Sequence, residues 1–143
     1  MISTKGRYAL RIMIDLAQQN STDFIPLDDL AVRQGLSKKY LESIIKTLVH
    51  HGLVKGLRGK GGGYKLTRPL ADYTVGEILE LTEGTLSVVA CLQSDAVPCE
   101  RRDICTTLPI WERFNKMVYD FFYHITLEDV VNENQTNLHM AEQ

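Results

Sequence analysis

The chain of 143 residues has three cysteines, Cys91, Cys99 and Cys105, and all lie in the stretch "CLQSDAVPCERRDIC". Seven and then five residues separate them. Thiolates this close can fill three corners of a tetrahedral metal site, such as zinc, or ligate an iron–sulfur cluster, whose ligands are mainly cysteine. They can also form a thiol redox switch, or have no chemical role. Arg101 and Arg102 would stabilise thiolates and offset cluster charge, while Pro98, Glu100 and Asp103 suit a loop that folds around a metal. The fourth ligand stays open among Asp103, Glu100, Thr107 and a group from a second subunit.

What such a loop does depends on the elements that carry it. At 44% hydrophobic and 24% charged residues the composition is that of a globular protein, long enough for one domain or a small domain with an accessory element. No apolar run approaches a membrane span, and "MISTKGRYAL" lacks the apolar stretch of a signal peptide, so a cytoplasmic protein with reduced thiols is expected. The net charge of −2 hides an asymmetry. Up to Arg68 there are 12 Lys and Arg against 5 acids; beyond it, 4 bases against 13 acids. A basic first half calls for an anionic partner. Nucleic acid fits better than a membrane, because the basic helices keep no bulky apolar face once packed.

The basic half reads as a winged helix-turn-helix. Ala9, Ile12, Met13, Leu16 and Ala17 form one helical stripe. "IPLDDLAVRQG" gives a short second helix with Leu27, Leu30 and Ala31 inward and Gly35 at its end. In "GLSKKYLESIIKTLVHHG", Ser37 is an N-cap, Gly52 closes the helix, and Leu41, Ile44, Ile45 and Leu48 make the buried face. The opposite face carries Lys39, Ser43, Lys46 and His50. Two helices joined by a glycine turn, with small Ala31 permitting close approach, make a helix-turn-helix. "LVKGLR" and "YKLT" flank "GKGGG" as a β-hairpin with a glycine-rich tip. A phosphate-binding loop is a poorer reading, because the GxxxxGK[ST] spacing and a following helix are both missing.

This reading places Ser37, Lys38, Lys39 and Tyr40 at the N-terminal end of a recognition helix, where base edges and phosphates are met, with Lys46 further along the exposed face. Arg58 and Lys60 flank the wing tip, suited to the phosphate backbone or the minor groove. Glu42 repels phosphate, so it is either a reader of a cytosine amino group or a surface acid paired with Lys38 or Lys46.

In the acidic half, Thr74 and Glu77 stand at capping-box spacing before a helix ending at Gly84. After the cysteines, "LPIWERFNKMVYDFFYHI" spaces Trp111, Phe114, Val118, Phe121 and Ile125 at 3, 4, 3 and 4, widened by Leu108, Met117 and Phe122. So aromatic a helix, following a nearly complete domain, is expected to pair with its copy across a two-fold axis; the alternative is that it folds back on its own domain. "ITLEDVV" restarts a helix with Thr126 as N-cap, and "NENQTNLHMAEQ" reads as a polar, mobile tail.

"STKGRYAL", "GLSKKYLE", "GLVKGLRGKGGGYKLTRP", "TVGEIL" and "ITLEDVV" occur in the order seen in the Rrf2 family of bacterial winged-helix regulators, and the resemblance covers roughly residues 1 to 131. It implies a homodimer that represses or activates transcription, paired through the helix containing Trp111. Several members carry three cysteines between the wing and that helix, and these ligate an iron–sulfur cluster whose state tunes DNA binding. Cys91, Cys99 and Cys105 fall at matching positions, and "PCERRDICTT" resembles that segment. Other members lack the trio and respond through a partner enzyme. The resemblance leaves the fourth ligand unassigned. Where the family's regulator of cluster-assembly genes has a histidine, three residues past the third cysteine, this chain has Leu108. Where its nitric-oxide sensor uses an aspartate from the partner subunit, this chain has Arg7.

The expectation is thus a mainly α fold with a small β-hairpin. It has a winged domain at 1–84, a sensor loop at 85–106, a dimerisation helix at 107–131 and a flexible tail at 132–143. The expected function is a non-enzymatic, sequence-specific repressor, homodimeric on a palindromic double-stranded operator. Its cofactor would be an iron–sulfur cluster on Cys91, Cys99 and Cys105, 2Fe–2S ahead of 4Fe–4S. The alternative is a cluster-free regulator controlled by thiol oxidation or by a partner metabolic enzyme.

Overall fold

The computed structural model describes residues 1–19 and 22–141, with side chains through residue 134. The elements are α1 (Thr4–Gln19), α2 (Leu27–Gln34), α3 (Lys38–His50), β1 (Val54–Leu57), β2 (Gly63–Leu66), α4 (Val75–Glu83), α5 (Leu108–Tyr123) and α6 (Leu127–Ala141). No helix among the described residues is long and apolar enough to cross a membrane. Ile12, Met13, Leu30, Leu41, Ile44, Ile45 and Leu48 are fully buried and join α1, α2 and α3 in one core. Leu127 and Val131 of α6 enter the same core, so the chain returns to the winged domain after α5.

The α2–α3 turn forms as its residues dictate. Gly35 is left-handed at φ 64°, and the Leu36 amide donates to the Ala31 carbonyl at 3.1 Å. Ser37 then accepts from the Tyr40 amide at 3.2 Å to open α3. A buried polar network braces this turn from α1. Asp15, with its side chain 5% exposed, accepts from Arg33 Nη2 at 2.8 Å and from Gln34 Nε2 at 2.7 Å.

The wing is an antiparallel pair with Val54 opposite Leu66 and Lys55 opposite Lys65. Tyr64 extends it by exchanging backbone hydrogen bonds with Ile25, both at 2.8 Å. Gly63 makes that approach possible, since a Cβ there would overlap the Ile25 backbone. Beneath the wing, buried Tyr73 donates to the Leu53 carbonyl at 2.7 Å and accepts from the Thr67 and Arg68 amides at 2.8 and 3.1 Å. Tyr73→Phe strips three backbone groups of a partner and is expected to cost about 2 kcal/mol, read as a lower urea midpoint at unchanged slope.

Thr74 caps α4 by accepting from the Glu77 amide at 3.0 Å. The Glu77 carboxylate does not reach back to complete a capping box; it takes a two-armed grip from Arg68, at 2.8 and 3.0 Å, and ties the wing base to α4. At α6 the box is reciprocal, with the Thr126 amide donating to Asp129 and the Asp129 amide to Thr126 Oγ1. The backbone is helical through Ala141, so the segment expected to be a mobile tail from 132 onward forms the end of α6 as far as it is described. The side chains of 135–143 lie outside the described residues.

Helix α5 uses two faces. Val118, Phe122 and Ile125 pack with Val75, Leu79 and Leu86, so the predicted aromatic stripe is divided. Ile110, Trp111, Phe114, Met117 and Phe121 form the outward part. The inner contact is fastened by Glu80 of α4, which accepts from both Tyr119 and Tyr123.

Candidate nucleic-acid interface and cysteine loop

A groove of about 720 Å³ separates α3 from the wing, lined by Asp28, Glu42, Lys46, Arg58, Tyr64 and neighbouring backbone. Three predicted contact residues, Glu42, Lys46 and Arg58, therefore share one groove. Ser37, Lys38, Lys39 and Lys60 are exposed but do not line it. Tyr40 is half-buried, with its ring edge against Tyr8 at 5.9 Å between centroids, so only part of it faces outward. The face predicted from Lys39, Ser43, Lys46 and His50 is exposed along its length.

Glu42 pairs with neither Lys38 nor Lys46. Lys38 instead contacts Asp28 at 2.6 Å, and both side chains are about two-thirds exposed. Asp28 is a groove residue that sequence pattern does not single out, because an acid in the first turn of α2 is ordinary helix chemistry. Tyr64 stands out in sequence only as the strand residue that follows the glycine run of the wing motif; its place in the groove comes with the Ile25 contact, for which local sequence carries no signal.

The loop from Gly84 to α5 contains short 3₁₀ turns at Ala90–Leu92 and Arg102–Ile104. Cys91 and Cys99 are exposed, and Cys105 is half-buried at the start of α5. Asn115 Oδ1 accepts from the Val88 amide at 2.9 Å, and Arg102 meets Glu112 at 3.2 Å, so both ends of the loop are pinned to α5. Arg102 is thereby committed to Glu112; Arg101 is the guanidinium that acts on a thiol. Among the described residues, no three His, Cys, Asp or Glu side chains converge as a ligand set, and Glu100 and Asp103 are exposed.

Cys105 Sγ lies 3.5 Å from Thr107 Oγ1. The Thr107 hydroxyl, and then its amide, hold the Cys105 thiol below its ordinary range against desolvation, and the Leu108 amide and Arg101 add smaller pulls the same way. Alkylation of Cys105 followed by mass spectrometry is expected to show a midpoint below the usual thiol range, shifted upward by Thr107→Val. Three thiols on one loop, one of them more readily ionised than an ordinary thiol, are a donor set of the type that iron–sulfur centres use.

Residues 2–133 match the Rrf2 family, described as an iron-dependent transcriptional regulator. The HTH-type transcriptional regulator IscR of Klebsiella pneumoniae is 34% identical over 134 residues, covering 94% of this chain and 81% of that protein. The solved structure of CymR, the global cysteine regulator of B. subtilis, is similar with a TM-score of 0.75 at 36% identity, over 93% of this chain and 97% of that one. T. potens IscR is similar with a TM-score of 0.72 at 35% identity, over 94% and 88%.

Proposed function

Because this chain belongs to the Rrf2 family of transcriptional regulators, we propose that it is a homodimeric, sequence-specific repressor whose operator affinity is set by an iron–sulfur cluster on Cys91, Cys99 and Cys105. The observation that carries the DNA reading is the groove shared by α3 and the wing, which Lys46 and Arg58 line together with Glu42, a carboxylate that makes no ion pair among the described residues. In this reading α3 enters the major groove by its N-terminal end. Ser37, Lys38, Lys39, Tyr40 and Lys46 fix its position, and Arg58 and Lys60 carry the wing tip to the phosphate backbone or the minor groove. Glu42 accepts from a cytosine amino group, a contact that discriminates by about 1–3 kcal/mol.

The two roles separate experimentally. Arg58→Ala is expected to weaken cognate and scrambled duplexes alike and to reduce the salt slope by about 0.9. Glu42→Ala is expected to relax preference at one base pair while leaving scrambled duplex little changed. Equal effects of Glu42→Ala on both duplexes would refute the readout role.

Cys91, Cys99 and Cys105 would hold the cluster, 2Fe–2S ahead of 4Fe–4S, and the group would supply a redox- and ligand-responsive centre. The chain's own contribution is mechanical. The loop joins α4 to α5 and is pinned at Asn115 and Glu112, so its order sets how two winged domains stand across the dimer. A ligand shifts operator affinity only through a difference of this kind between states. Anaerobic purification with iron and sulfide analysis tests the loop: iron is expected in the native protein and lost in Cys91→Ser, Cys99→Ser and Cys105→Ser. An iron-free protein after anaerobic reconstitution would remove the cluster and leave the DNA reading intact.

A second reading, control by thiol oxidation or by a partner metabolic enzyme, is favoured by the exposed thiols, the thiolate-stabilising start of α5 and the likeness to a cysteine regulator. Oxidant-dependent operator binding by iron-free protein would support it.

A further inference from the structure

The hairpin has a second basic face that the groove against α3 does not use. Side chains alternate along a strand, so Lys55 and Lys65 project from the side opposite Gly56 and Tyr64. They stand directly across from each other, and like charges in that relation destabilise a hairpin. A separate groove of about 390 Å³ lies on this side, lined by Leu16, Ile25, Leu66, Lys55, Lys65 and Arg68 among others, and none of its described lining residues is acidic. The charge of Arg68 is already committed to Glu77. Lys65 is held in place, with Nζ donating to the Thr22 carbonyl at 3.1 Å and seated 4.7 Å from the Phe24 ring centroid; an ammonium carries three N–H donors, more than this one hydrogen bond takes up. Lys55 makes no hydrogen bond or ion pair among the described residues.

A like-charged pair beside a groove with no acid among its described lining residues suits an anion. We propose that Lys55 and Lys65 bind backbone phosphate of the duplex flanking each half-site, outside the groove that the wing tip enters. The inference rests on the DNA-binding reading and adds a contact surface to it: the wing would grip the backbone by its tip and by its far face. These contacts carry no base preference; they add affinity, register and salt dependence.

The test uses an operator selected from random duplexes by the native protein. Each phosphate contact contributes about 0.9 to the salt slope, so Lys55→Gln is expected to lower it by about 0.9 and Lys55→Gln with Lys65→Gln by about 1.8. Hydroxyl-radical footprints of the double variant should lose protection at the outermost phosphates of each half-site and keep the inner ones. Lys55→Gln guards against misfolding as the cause, because it removes no intramolecular partner and should melt with the native protein. Native slope and footprint in the double variant would overturn the proposal. So would inorganic phosphate that shifts the Lys55 and Lys65 resonances while the DNA slope stays native, since the groove would then serve a free anion. Failure of the native protein to select any operator would instead refute the DNA reading itself, and the inference with it.

Discussion

If the proposed homodimer pairs through α5, Phe114→Glu combined with Phe121→Glu is expected to yield a monomer and to weaken operator binding by on the order of 10²-fold or more, the advantage of engaging two half-sites at once. The outward face of α5 exposes Ile110 at 58%, Phe114 at 48%, Met117 at 67% and Phe121 at 62%, at spacings of four, three and four, with Trp111 beside them. Covering the exposed part of each side chain contributes about 1 kcal/mol. Two carboxylates at the centre of that surface have no partner there and resist desolvation. The inner contact of Val118 and Phe122 of α5, with Ile125 just beyond it, against Val75 and Leu79 of α4 is untouched, so the monomer should stay folded with a cooperative melt while sedimentation velocity reports the smaller species. A variant that remains dimeric would place the subunit interface elsewhere.

Arg33→Ala is expected to remove about 3 kcal/mol of stability, a large share of a total of roughly 5–15 kcal/mol. Arg33 Nε lies 3.1 Å from both oxygens of Asp15, and Nη2 lies 2.8 Å from one of them. Without the guanidinium, a buried carboxylate keeps, among the described residues, the Gln34 side-chain amide as its one side-chain partner. Gln34 is also held by Arg11, so the loss spreads through the α2–α3 turn that aims the recognition helix. Arg33→Lys should recover part of the loss but not all, because an ammonium cannot offer the paired donors. Urea titration reads both values, and a native midpoint for Arg33→Ala would show that water replaces the guanidinium at no cost.

Features set by local chemistry are legible in the amino-acid sequence alone. Gly35 takes the left-handed turn, Ser37 and Thr74 cap their helices, and the glycine run forms the wing tip, because each depends on neighbours within a few residues. The contacts that sequence does not announce are long-range. Nothing near Asp15 indicates that Arg33 lies across from it, and nothing near Tyr73 indicates that its hydroxyl holds three backbone groups beneath the wing. Glu77 has the spacing of half a capping box and serves Arg68 instead. Helix α5 shows the limit of periodicity most clearly: one aromatic stripe is visible, but its division between α4 and the outer surface depends on where α4 lies. For the candidate interface, residue type points to Glu42, Lys46 and Arg58, while Asp28 and Tyr64 join the groove only through tertiary placement.

The most direct test of the central claim is the ratio of Kd values for a selected operator and a scrambled duplex of the same composition, measured on anaerobically purified protein at one fixed salt concentration. A sequence-reading regulator predicts a preference on the order of 10³-fold or greater for the operator. Equal affinity for the two duplexes would contradict it.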